Sequence, residues 1–138
     1  MILLLITREA DYALRILRTL SEGGLVTAAE ITQRELIPRQ FAYKILRKLS
    51  RVGIIAVNRG VEGGCRLTAD LREKSLYDLM AALNLVELVN ACMAPGYQCS
   101  WRQSCGRDCK IHSRLAAIQQ SLDQELRRHS LAAILSGE

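Results

Sequence analysis

The stretch from Thr27 to Val52 constrains this chain most, because it leaves room for only two short helices with a tight turn between them. Thr27-Ala28-Ala29-Glu30 has the form of a capping box, and the helix it opens can run only to about Glu35. Pro38 then stands where a new helix would have its first residue. From there to about Val52, Phe41, Ala42, Ile45, Leu46 and Leu49 form an apolar stripe, leaving Arg39, Gln40, Tyr43, Lys44, Arg47, Lys48 and Arg51 on the other side. Two helices so joined, the second basic on its outer face, make a helix-turn-helix.

The flanks extend that unit in a definite direction. Thr7 caps a preceding helix with Glu9 in its first turn, and Ala10, Ala13, Leu14, Leu17 and Leu20 repeat at helical spacing until Gly23-Gly24 stops the run. After Gly53, Ile54 to Val57 is a strand candidate, Arg59-Gly60-Val61-Glu62-Gly63-Gly64 is turn chemistry, and Cys65 to Thr68 is the returning strand. The fold class is therefore mainly α with a small β-hairpin wing. With aromatics at only 4%, its core must be Leu, Ile, Val and Ala. Met1 to Ile6 is apolar but too short to span a bilayer or form a signal core, and reads as a short buried strand or helix lead-in. A cytoplasmic location and no membrane partner follow as expectations.

Further along, Leu76 to Val89 reads as one mostly apolar, buried helix, and Asn90 to Asp108 as a loop without helical period. Ile111, Leu115, Ile118, Leu122 and Leu126 then alternate steps of four and three, a narrow seam suited to pairing one helix with its copy in a dimer. The organisation expected is a winged helix-turn-helix with its following helix over residues 1–89, a cysteine-rich loop over 90–110 and a long dimerisation helix over 111–138.

The formal charge of +5 is modest, but it is unevenly spread. Six basic residues and no acidic one lie between Arg39 and Val61, a local footprint that suits double-stranded DNA. Arg39 and Gln40, near the start of the second helix, are placed for base edges, where Arg pairs with guanine and Gln with adenine. Lys44, Arg47, Lys48 and Arg51 spread around the helix, so some must serve phosphates or solvent, and Tyr43 is a DNA-binding candidate on the same outer side. Arg59 at the wing tip suits the minor groove or the backbone. The alternative for any one of these cations is a solvated helix face.

Cys92, Cys99, Cys105 and Cys109 fall as C-x6-C-x5-C-x3-C, with His112 three residues after the last. Soft thiolates suit an iron-sulfur cluster, [2Fe-2S] or [4Fe-4S], or zinc, and the lack of close C-x2-C pairs tilts the choice toward a cluster. Unliganded thiols, or a thiol switch, remain the alternative. Cys65, alone in its strand, reads as packing, and His129 as a solvated or dimer-face residue. No paired carboxylates, Ser-His-Asp set or phosphate loop marks an enzyme.

Taken together, Thr7 to Leu14 (TREADYAL), the helix-turn-helix, the wing, the cysteine loop and the long last helix resemble the IscR/NsrR-like family of bacterial winged-helix regulators. The resemblance implies a homodimer through the C-terminal helices, a roughly palindromic operator, and a cluster held by three cysteines and one other ligand. His112 matches the histidine that serves in some members, and Asp11 the acidic residue on the partner's first helix in others. Asp11 also reads as a plain first-turn carboxylate favoured by the helix dipole. This sequence has four cysteines where the pattern has three, so all-cysteine ligation is open too. The function expected is that of a transcription regulator, read as a repressor, gated by a cluster that senses redox state, nitric oxide or iron-sulfur status. A cluster-free or zinc-stapled regulator, or a small iron-sulfur electron carrier, is the alternative.

Overall fold

The computed structural model describes residues 2–137. Three helices come first: α1 (Arg8–Leu20), α2 (Ala28–Glu35) and α3 (Arg39–Arg51). Thr7 and Thr27 cap the first two by accepting the backbone N–H groups of Ala10 and Glu30 through their hydroxyls. Pro38 precedes α3 as its cap residue instead of opening it, and offers no side-chain bond. Its carbonyl accepts the N–H of Ala42 at 3.0 Å, so the helix starts one residue later than the proline signal suggests.

The hairpin pairs β1 (Ile55–Asn58) with β2 (Gly64–Leu67), antiparallel, with Val57 opposite Cys65. Gly63 is obligatory at its turn, because a Cβ there would lie 2.5 Å from the Asn58 carbonyl oxygen. Val26 adds a one-residue third strand by exchanging two backbone hydrogen bonds with Cys65. The Cys65 side chain is buried as expected of a packing residue, and that burial pushes its thiol pKa up.

One apolar cluster joins Ile16, Leu17 and Leu20 of α1, Ile31 of α2, Ile45 and Leu49 of α3, Ile55 and Cys65 of the hairpin, and Leu79 and Leu83 around the next helix. Burial of this kind contributes about 1.5–3 kcal/mol per large side chain before chain entropy is counted.

Four expectations are corrected outside the helix-turn-helix and the wing. The helix expected over Leu76 to Val89 is α4 (Leu76–Ala82) and stops early. Asn84 adopts the left-handed conformation (φ 59°) and Leu85 N–H bonds back to the Met80 carbonyl at 2.7 Å, a Schellman ending that the apolar run conceals. The expected loop contains a 3-10 turn (Ala91–Met93) and a six-residue helix, α5 (Ser100–Cys105), too short to display a period. The long last helix is two: α6 (Lys110–Arg128) ends at the extended His129, and α7 (Leu131–Ser136) is capped by Ser130 and buries Leu131 in the main core. Backbone bonds from Leu76 to His129 and from Leu131 to Lys74 divert the chain at that point. Finally, Ile2 to Leu5 is neither a strand nor buried. Ile2 is 85% exposed, since nothing in a single chain covers it.

Candidate functional site

Two places hold the residues singled out by the sequence. The first is the outer face of α3. At 3.6 residues per turn, Arg39, Gln40, Tyr43, Lys44, Arg47 and Arg51 fall within an arc of about 140°, and all are exposed. Ala42, Ile45, Leu46 and Leu49 are buried on the opposite side. Phe41 is half exposed and meets Tyr12 edge-on, with ring centroids 5.8 Å apart. Lys48 stands at the border of the two faces, where its Nζ lies 2.7 Å from Glu9 of α1. That ion pair makes Lys48 a brace between helices; among the described residues no ion pair engages Arg39, Lys44 or Arg47.

Arg39 has a different companion. Its guanidinium carbon sits 5.6 Å from the centre of the Tyr43 ring, and one NH2 donates to the Tyr43 hydroxyl at 3.3 Å. The first turn of α3 has no acidic residue, so its N-terminal end keeps the positive sign of the helix dipole.

Glu35 fixes how α2 meets α1. Its carboxylate receives the Arg18 guanidinium and, at 2.9 Å, the Thr19 hydroxyl, while Arg15 donates to its backbone carbonyl. The Arg18 hydrogen bond, aided by Thr19, holds the Glu35 carboxyl below its ordinary range in spite of partial burial. Leu36 then turns the chain in the left-handed region (φ 55°) and leads into α3. Arg59 and Val61 project from the wing tip, fully in solvent in the case of Val61.

The second place is a concavity of about 860 Å³ between the 3-10 turn, α5 and the start of α6. Cys92, Cys99, Cys109 and His112 all line it, together with Tyr97 and Trp101. Cys105 is not part of its lining; its sulfur accepts the Arg107 N–H at 3.4 Å. Cys109 caps α6, its sulfur accepting the His112 N–H at 3.4 Å. Arg107 and Lys110 add positive charge to its lining, while Arg102 pairs there with Asp108 at 3.6 Å. Among the described residues no three His, Cys, Asp or Glu side chains stand close enough to chelate one ion. Three thiols and an imidazole facing one space are nonetheless a soft donor set of the kind iron-sulfur clusters and zinc take. Asp11 lies apart on α1, paired with Arg15 at 2.9 Å, and exposed His129 pairs with Glu125 at 2.9 Å, which lowers the Glu125 pKa.

Gln119 is the residue sequence reasoning missed. It is buried on α6 and spans three partners: it accepts the Val89 N–H at 2.8 Å and donates to the Glu87 carbonyl and to Asp123. It thereby ties the strand of chain entering the cysteine loop to α6. A glutamine among many on a polar helix gives no local signal of this.

Among the described residues no helix is long and apolar enough to cross a membrane. The family pattern named Rrf2, described as "Iron-dependent Transcriptional regulator", matches residues 6–137. Protein aau3 of Rhizobium meliloti (strain 1021) is 28% identical over 120 residues, covering 85% of this chain and 78% of that protein. Among solved structures, the global cysteine regulator CymR (YrzC) of B. subtilis superposes with a TM-score of 0.69 at 16% identity, over 100% of this chain and 99% of that one. IscR of T. potens does so with a TM-score of 0.64 at 16% identity, over 95% and 85%. These likenesses establish the winged-helix fold with its long C-terminal helix, and the sequence match establishes the lineage: the chain belongs to the Rrf2 family of DNA-binding transcription regulators, and is not an enzyme.

Proposed function

We propose that this regulator reads DNA with the exposed face of α3 and is gated by an iron-sulfur cluster in the cysteine concavity. The observation that carries the gating is the shared lining: Cys92, Cys99, Cys109 and His112, contributed by three separate elements, face one space, while Cys105 does not. Three cysteines and His112 are then the ligands, which leaves Cys105 and Asp11 free. The cations of Arg107 and Lys110 suit the negative charge that thiolate ligation creates. When bound, such a cluster supplies a centre that oxidants or nitric oxide can destroy.

On the DNA side, Arg39 and Gln40 read bases, Tyr43 lies beside them, and Lys44, Arg47 and Arg59 bind phosphates or the minor groove. Lys48 contributes its charge less directly because Glu9 already holds it. The exposed seam of Ile111 and Ile118, continued by Leu115 and Leu122, pairs two copies, which sets two α3 helices on a roughly palindromic operator as a repressor. The protein acts in the cytoplasm. Because Cys109 caps α6, what happens at its sulfur is felt in the first turn of the helix that joins the copies.

Anaerobic purification with a visible spectrum and iron, sulfide and zinc analysis tests the gating. A brown protein that loses its colour on Cys92→Ser or Cys109→Ser, but not on Cys105→Ser, is the expected result. A colourless protein that resists reconstitution overturns it. The second reading, a regulator whose thiols respond without a cluster or hold zinc, is favoured by the likeness to the B. subtilis global cysteine regulator; DNA binding would survive under it.

A further inference from the structure

Tyr43 has no part in the hydrophobic core, which α3 meets through Ala42, Ile45, Leu46 and Leu49. The residue is 45% exposed, and its contacts of note are with Arg39, one helical turn earlier: the guanidinium over the ring at 5.6 Å and the hydroxyl bond at 3.3 Å. Arg39 has no carboxylate partner among the described residues and sits where the helix dipole repels a cation. Left alone, a first-turn arginine with four rotatable bonds samples many orientations and loses that freedom when it binds. Stacking on an aromatic face confines it in advance, and the planar fork keeps N–H groups free for a second partner.

We infer that Tyr43 is a positioning residue that presents Arg39 edge-on to a base, so that sequence discrimination at one base pair belongs to the pair and not to Arg39 alone. This rests on the reading of α3 as the recognition helix. The chemistry points to guanine, whose O6 and N7 accept two N–H groups of one guanidinium, while the tyrosine ring stays against its other face. Lys44 and Arg47, without such a support, would contribute charge without selecting a base.

The test is a double-mutant cycle on duplex DNA recovered by selection from a randomised pool with the full-length protein. Affinity and its salt dependence are measured on the best duplex and on each single-base change of it. Arg39→Ala should abolish discrimination at one base pair, a loss of roughly 5- to 150-fold. Tyr43→Ala should erode discrimination at that same base pair by about two- to fivefold, less than Arg39→Ala, with the salt slope unchanged. Tyr43→Phe, which keeps the ring and loses the hydroxyl, should fall between wild type and Tyr43→Ala. The double variant should be no worse than Arg39→Ala. Additive effects, a Tyr43 effect at a different base pair, or none, would overturn the inference while leaving α3 as the reader. If Arg39→Ala changes discrimination nowhere while Gln40→Ala does, the inference alone fails; if neither changes it although the wild type binds, the recognition-helix reading fails, and the inference with it. Both positions are exposed, so circular dichroism melts near wild type are expected and exclude misfolding as the cause.

Discussion

The winged domain is organised around the one buried apolar cluster, to which the segment from Asn84 to Arg128 contributes no fully buried side chain. In the first, side chains find partners within one chain: Thr7, Thr27 and Ser75 cap helices, Glu35 gathers Arg18 and Thr19, and Ile16, Leu49, Leu79 and Leu131 close a common core. In the second, Leu88, Trp101, Ile111 and Ile118 lie at the surface and three cysteines face an open space. A region that satisfies itself can hold a fixed shape for reading DNA. Exposed apolar and soft groups of this kind are where the second copy and the cluster proposed above would fit.

Substitutions can break that contrast. Leu131→Ala should cost about 2–5 kcal/mol in urea unfolding, because the side chain is fully buried; a cost near zero would place α7 outside the core. Ile118→Glu should leave the thermal midpoint of the monomer nearly unchanged and shift the sedimentation profile toward single chains, as a buried unpaired carboxylate costs several kcal/mol across a paired seam. Glu35→Gln should cost about 1–3 kcal/mol by weakening charged hydrogen bonds at a site 9% exposed.

The pH dependence of Glu35 has a definite sign. Its folded pKa lies below the ordinary 4.5, so its contribution is present above that value and is lost as pH falls through the folded pKa. Acid titration of stability should therefore show a loss beginning below about pH 4.5 that Glu35→Gln diminishes. The smallest effect is expected at Leu36, whose φ of 55° is costly for a residue with a Cβ. Leu36→Gly should raise stability by roughly 0.5–1 kcal/mol in the same urea assay.

What the sequence conveyed divides along the same line. Capping threonines and the glycine turn of the wing are local signals, and both the helices they open and the hairpin stand where expected, within a residue or two. The end of α4 was hidden because Leu83, Leu85 and Val86 continue an apolar run, and only the left-handed Asn84 betrays the stop. The break at His129 depends on backbone pairing with Lys74 and Leu76, residues more than fifty positions away, which no window of sequence displays. Lys48 shows the same limit at the candidate site: its charge was legible, but its partner Glu9 comes from another helix. The four cysteines were legible as a group, and their division into three that share a space and one that does not required the fold.

The docking of α7 turns α6 into a lever with one fixed end. Backbone bonds from Leu76 to His129 and from Leu131 to Lys74 pin the far end of α6 to the winged domain, while its near end begins at Cys109. A helix of 19 residues is about 28 Å long. A displacement of about 2 Å at the cysteine end would therefore tilt the whole rod by only about 4° about the pinned end.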